Sequence, residues 1–491
     1  MKKTHFIAKS LLLLTTAGSL YGANHVLTLD DAIKIALQNN AKLKVSQTAI
    51  KIADTMYNQA MSANYPSLDA SVNAMRMDKA PMYELRGVTK IDNTQTINMY
   101  NGLSGAAAVD GNPTLSTAYG AIANATPTTS ELPVSMSVQT AGRDIAVSKI
   151  QLQYPLYTGG KITSLINQAK MGKSIAAEGK RRTTNEVVHD IKRYYYGAKL
   201  AENLSRLASD TQERMSFVRD LTERLYKGGS LHVKKTDYLR SELSVELIES
   251  LSEEIKQKEE MAKAALIFAM GLPWNDTVQI KDAAFEEPKM SKTLATLVDT
   301  AYKFNPDYTT LKMAIKINGE KIKEAQSDYY PSIGLMASAQ NLYSDYNYGM
   351  TNETNRNSWT IGVGVNWSLF NGMRTSNKVE QNRLEKLQLE QKQIILKDAL
   401  ALQVKQAFLQ MKNSYKQYNI LSKAVKTAAQ NRDLNTRAYQ EDMVETKEVI
   451  EAQLIESYTL GAYYRAMYNN ALAHANADYI VAKSVEEELQ K

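Results

Sequence analysis

Two periods of apolar residues take turns along this chain. Where they change, the chain changes secondary structure. After Tyr65-Pro66 the period is two: Leu68, Ala70, Val72 and Ala74 face one way, Asp69, Ser71 and Asn73 the other. Ile150, Leu152, Tyr154 and Leu156 alternate with Lys149, Gln151 and Gln153, and Ile333, Leu335, Ala337 and Ala339 with Gly334 and Ser338. The clearest run is Trp359, Ile361, Val363, Val365, Trp367 and Leu369 against Thr360, Gly362, Gly364, Asn366 and Ser368. These runs predict four strands, at about 67–77, 145–156, 332–343 and 358–370. Such alternation suits a half-buried strand of a soluble sheet. An apolar stripe bounded by Trp359 and Trp367, with Tyr154 on the matching face, also suits a lipid-facing strand with an aromatic girdle. Four strands cannot close a barrel alone and an open edge is not tolerated in lipid, so the membrane reading requires several chains; three would give twelve strands.

Elsewhere the period is helical. Residues 29–64 read as a helix that Asn39-Asn40 can interrupt, with Asp30 and Asp31 at its positive end. Two long helices follow, from about Lys161 to Tyr226 and from Arg374 to Tyr439, each about 100 Å long at 1.5 Å per residue. Val404, Phe408, Met411, Tyr415 and Tyr418 form a narrow coiled-coil seam, and Ile191, Tyr195 and Ala198 hold the matching places earlier. Each helix turns back, near 226–232 and near 439–445, into a return helix, Val233 to Met270 and Thr446 to Ala482. Gly228 and Gly229 suit the first turn; Asp442 stands where glycine would suit the second.

The chain repeats itself. A shift of 265 residues lays Thr28, Leu29, Ala36, Asn40, Ile50-Lys51-Ile52, Ala60 and Tyr65-Pro66-Ser67 on Thr293, Leu294, Ala301, Asn305, Ile315-Lys316-Ile317, Ala325 and Tyr330-Pro331-Ser332 without a gap. A shift of 213 lays Tyr154-Pro155-Leu156-Tyr157-Thr158-Gly159-Gly160-Lys161 on Trp367-Ser368-Leu369-Phe370-Asn371-Gly372-Met373-Arg374. The two shifts differ by an insertion of 52 residues, between the matched blocks of the first half. The expected organisation is a signal peptide at 1–23, a first repeat at 24–290 and a second at 291–491.

Composition narrows the function. Lys2, Lys3 and Lys9 around the short apolar run Leu11–Leu14 read as a secretory signal, cut after Ala23. The net charge is +7, or about +4 once those three lysines are removed, which makes no case for nucleic acid. No cysteine is present, so disulfides, thiolate metal sites and lipoprotein acylation are excluded. The connection 78–144 carries the insertion and, with its Gly, Ala, Asn, Ser and Thr content, reads as a long exposed loop. The five histidines are scattered and no nucleophile or phosphate-loop motif is present, so the chain reads as no enzyme, without cofactor or metal.

The two halves, the paired Tyr-Pro-Ser motifs, the aromatic-x-Leu-aromatic-x-Gly junctions and the run from Tyr439 into Glu448-Val449-Ile450-Glu451 together resemble the TolC-like outer-membrane efflux proteins. The resemblance implies a mixed α and β membrane protein: a homotrimer whose twelve-stranded barrel, four strands per chain, continues as a long α-helical periplasmic tunnel. It implies the outer membrane of a Gram-negative bacterium, docking to a periplasmic adaptor (membrane fusion protein) and, through it, an inner-membrane transporter, and export of drugs, small molecules or proteins. It places a periplasmic constriction at Glu448 and Glu451, whose i, i+3 spacing puts them on one helix face. A threefold axis would make them two carboxylate rings. It makes Tyr439, Thr236 and Asp237 parts of a closing latch, with the latch arginine replaced by Val444, and makes Gly228, Gly229 and Asp442 the tips that meet the adaptor. Tyr154, Trp359 and Trp367 become the lipid-facing girdle. Two alternatives stand beside the efflux channel: a type I protein-secretion channel, and a structural periplasmic coiled-coil protein with no pore.

Overall fold

The computed structural model describes residues 23–85, 91–130, 136–230, 232–281, 285, 293–348 and 356–482. Residues 1–22 of the expected signal peptide therefore lie outside the described residues, as does Leu231 of the first turn. In chain order the elements are β1 (Asn24–Leu27), α1 (Leu29–Asn39), α2 (Ala41–Ser62), β2 (Ser67–Arg76), β3 (Met82–Leu85), β4 (Ile91–Asp92), α3 (Thr94–Val109), α4 (Pro113–Ala125), β5 (Thr129–Ser130), β6 (Met136–Gln139), β7 (Asp144–Tyr157), α5 (Lys161–Lys227) and α6 (Lys235–Met270). The second half adds β8 (Thr277–Ile280), α7 (Leu294–Phe304), α8 (Pro306–Gln326), β9 (Ser332–Ser344), β10 (Asn357–Asn366), α9 (Arg374–Gln440) and α10 (Thr446–Val481). Among the described residues no helix is long and apolar enough to cross a membrane.

The chain forms two compact units, each drawing on both repeats: residues 53–173 with 314–389, and residues 1–52 with 174–313 and 390–491. The first unit is built on an antiparallel sheet in the order β10-β9-β7-β2. Its register aligns the alternation of all four strands. Leu68 pairs with Leu152, which pairs with Ala337, which pairs with Ile361; Ala70, Ile150, Ala339 and Trp359 form the next such row. On the opposite face the rows are Asp69, Gln151, Ser338 and Thr360, then Ser71, Lys149, Gln340 and Ser358. A one-residue slip of any strand would mix the two faces, so this register is what four separate alternations jointly specify. The chain leaves the outer edges of β2 and β10 without a strand partner within this sheet.

Two expectations need correction here. The fourth strand ends at Asn366 and does not run to 370. Trp367 turns off the strand and its indole Nε1–H donates to the Tyr329 carbonyl at 3.0 Å, and the chain then turns through Gly372 and Met373, both at positive φ. The connection 78–144 is not a loop throughout. It holds β3 paired with β6, β4 paired with β5, and the helical hairpin α3–α4. Its alanines are strong helix formers, Pro113 takes the first turn of α4, and the Asn112 side chain caps α4 by accepting from the Leu115 N–H at 3.0 Å. Glycine and proline counts hid these local signals.

In the second unit each repeat builds a similar core. Ile33, Ala36 and Leu43 pack on Val187, Ile191 and Tyr195 of α5 and on Leu266 and Met270 of α6. Leu297, Ala301 and Tyr308 pack correspondingly on Leu400 and Val404 of α9 and Val481 of α10. The repeated asparagine explains one matched position physically. Asn40 Nδ2 donates to the Ala269 carbonyl at 2.7 Å, while its Oδ1 accepts from the Lys42 N–H at 2.9 Å. Asn305 does the same with Ile480 and Asp307, at 3.0 Å each. One side chain thus breaks one helix, starts the next and caps a third. The helical stretch over 29–64 is accordingly interrupted at Asn40, giving α1 and α2.

Thr28 and Asp31 form a capping box on α1, with Asp31 Oδ2 accepting from both the Thr28 hydroxyl and N–H. Those bonds hold the Asp31 carboxyl below its ordinary range. A depressed folded pKa stabilises above the unfolded value and is lost as pH falls through the folded one. The stability deficit of Thr28→Ala should therefore shrink on acidification below about pH 4, measured by thermal melts across pH.

Candidate functional site

The two helix turns are the first part of the site. At the first, Gly229 takes φ +78° and Gly228 donates its N–H to the Arg224 carbonyl. At the second, Asp442 takes φ +57°, and the N–H groups of Asp442 and Met443 close the helix end on Tyr439 and Ala438 carbonyls. Aspartate tolerates this left-handed backbone better than most side chains do, so the turn forms without glycine. The Ser230 hydroxyl lies 3.5 Å from the Asp442 carboxylate, bringing the two turns together.

Tyr439 is 1% exposed. Its hydroxyl lies 2.8 Å from the Thr222 hydroxyl and 2.9 Å from that of Thr446, inside a cluster of Met215, Val218, Val245, Ile248, Val449 and Ile450. Val444 packs against the same cluster, which an arginine there could not do without burying its charge. Thr236 is exposed, and Asp237 accepts from the Lys234 N–H at 3.0 Å at the start of α6, with Arg240 Nη1 3.6 Å away. In this chain the tyrosine hydroxyl is thus engaged by Thr222 and Thr446, while Asp237 is engaged at its own helix start.

Glu448 and Glu451 lie on the exposed face of the first turns of α10. Lys447 Nζ stands 3.6 Å from the Glu451 carboxylate, both ends in solvent. One turn deeper is a group that sequence spacing did not single out. Glu456 is buried and accepts from Arg214 Nη2 of α5 at 3.1 Å and from Arg432 Nη1 of α9 at 2.9 Å. Arg214 Nε also donates to Gln453 at 3.0 Å. Three helices from both hairpins are joined through one carboxylate. Their sequence separations carry no local signal, so no motif could reveal it.

The sheet is the second part. On its apolar face Tyr154 pairs with Leu335, in line with Val363. A bulge at Leu156 brings Tyr157 onto the same face opposite Ile333. Trp359 stands 72% exposed in the row of Ala70, Ile150 and Ala339. Near the other end, Tyr65, Tyr330, Trp367 and Phe370 are all exposed. Exposed aromatics thus lie toward both ends of the sheet, with Trp359 and Tyr157 on its apolar face.

The family described as "Outer membrane efflux protein" matches residues 297–455. The alkaline protease secretion protein AprF of Pseudomonas aeruginosa is 24% identical over 347 residues, covering 69% of this chain and 68% of that protein. The Campylobacter jejuni CmeC outer membrane channel has a similar fold, with a TM-score of 0.68 at 13% identity over 94% of this chain and 88% of that one. The open-state MtrE outer membrane channel of Neisseria gonorrhoeae gives a TM-score of 0.68 at 16% identity over 92% and 88%.

Proposed function

We propose, from its likeness to the outer membrane efflux proteins, that this chain is one subunit of a homotrimeric export channel of a Gram-negative outer membrane. The observation that carries the proposal is the four-stranded sheet: apolar on one face, polar on the other, open at both edges. In lipid both edges must be paired, and a second copy's β2 against β10 supplies that pairing. Three copies make twelve strands with the polar face lining the lumen.

The helices support assembly as well. Ile395, Leu402 and Leu409 of α9, seven residues apart, are all more than half exposed, and Leu239, Leu243, Leu247 and Leu251 of α6 form a second exposed stripe. Apolar stripes of this spacing suit neighbouring copies in a closed ring of helices. In that ring Glu448 and Glu451 face the constriction as two rings of three carboxylates, favouring cations. Tyr439, Thr236 and Asp237 set how the tip closes, and Gly228, Gly229 and Asp442 present the turns to a periplasmic adaptor. The adaptor couples the channel to an inner-membrane transporter, which supplies the energy.

Planar-bilayer recording of the purified trimer tests both levels. Conductance is expected, and its absence would favour the pore-free coiled-coil reading. Replacing Glu448 and Glu451 together by Ala should lower cation selectivity severalfold, read from reversal potentials in a salt gradient; unchanged selectivity removes them from the constriction. The AprF likeness favours a protein cargo as the second reading. Loss of a secreted protein from the medium on gene deletion, with drug susceptibility unchanged, would establish it.

A further inference from the structure

We propose that the helical hairpin α3–α4 enters the barrel lumen as a plug that sets the size limit of what passes. The inference rests on the lumenal reading of the polar sheet face given above. Its own observation is the seat of the hairpin's turn. Gly111, between the two helices, lies against Thr360 of β10 and Ser338 of β9. A Cβ placed on Gly111 would sit 2.5 Å from Thr360 Oγ1 and 3.5 Å from Ser338 Oγ. Thr360 and Ser338 are a cross-strand pair, in the polar row that continues through Gln151 and Asp69. Thr360 lies three residues into β10, about 10 Å along the strand from its start.

The hairpin is built to reach that place. Gly111 takes φ +74°, a conformation glycine adopts without cost, and its missing side chain permits the close approach. Leu115 and Tyr119 of α4 pack with Ala107, Leu103 and Tyr100 of α3, and the Ser104 hydroxyl donates to the Ser116 carbonyl at 2.7 Å. The helices therefore hold each other as one rigid piece. The pairing of β4 with β5 closes its base. Across residues 94–125 only Asp110 is charged, so the hairpin narrows a pore with little fixed charge. Three copies around an axis would place three such hairpins in one lumen.

The absence of cysteine makes single thiols unambiguous reporters. Gln153 is on the polar face, opposite Ser67 and Met336, beyond the Gln151–Ser338 pair from the β9–β10 connection. In cells carrying Gln153→Cys, a bulky polyethylene-glycol maleimide added from outside should label slowly. Replacing residues 94–125 by a short Gly-Ser linker should raise that rate severalfold. Equal rates in the two forms overturn the plug and leave the channel reading intact. If Leu152→Cys, on the opposite face, is labelled while Gln153→Cys is not in either form, the lumenal reading falls and the plug with it. A second variant does not depend on the deletion folding. Gly111→Cys with Thr360→Cys should form a disulfide in the intact trimer, because the two Cβ positions are 3.4 Å apart, near the usual bridge spacing. Failure to bridge under oxidation overturns the contact.

Discussion

Gly159→Ala is expected to destabilise the sheet unit by about 2–5 kcal/mol, while Gly372→Ala at the equivalent place in the second repeat costs only about 1 kcal/mol. Both glycines hold positive φ, +61° and +67°, so both substitutions carry the left-handed penalty of an L residue. Only one meets an obstacle. A Cβ on Gly159 would sit 2.7 Å from the Ser327 carbonyl oxygen and 2.9 Å from Tyr330 Cβ, whereas nothing lies within 4 Å of one on Gly372. A backbone carbonyl cannot yield as a flexible side-chain end can. Thermal survival of the folded protein, followed by circular dichroism and by migration on semi-native gels, checks the ranking. Equal losses would mean that the backbone term alone decides.

Removing the Glu456 carboxylate should have the other large effect. Glu456→Ala leaves Arg214 and Arg432 facing each other with their shared acceptor gone. The Glu456 side chain is 7% exposed, the arginines 29% and 21%. A fully buried pair broken on one side costs about 3–5 kcal/mol, and the partial exposure of the arginines brings the expectation to about 3. Lys447→Ala, at the exposed pair with Glu451, should cost under about 0.5 kcal/mol. Denaturant unfolding of the helical signal compares the two. Glu456→Leu is the informative companion: if it recovers nothing, the loss is electrostatic, because leucine restores the volume but not the acceptor.

Much of the fold was legible in the sequence because period is a local property, set by the direction in which successive side chains leave a strand or a helix. Leu68, Ile150, Ala337 and Ile361 each belonged to a visible alternation, and the register aligned those alternations across the sheet. The seam of α9 was legible to within a residue. Val404 and Met411 are buried as expected, but Ala407 is more deeply buried than Phe408, because a close helix approach leaves room for the smaller side chain. The insertion resembles a loop for a related reason: a helical hairpin whose single charge is Asp110, with no strong apolar stripe, has the composition of a loop.

By itself the sequence determined the two repeats, the four alternating strands, the paired long helices and the two junctions where one period gives way to the other. These are set by near neighbours in the chain, through side-chain direction and backbone preference. Only the tertiary structure decided which junction glycine is irreplaceable, that Tyr439 bonds to Thr222 and Thr446, that one carboxylate joins three helices, and that the inserted hairpin rests on the polar sheet face. Each of those depends on which atoms from distant positions come within a few ångströms, and no spacing along the chain encodes that.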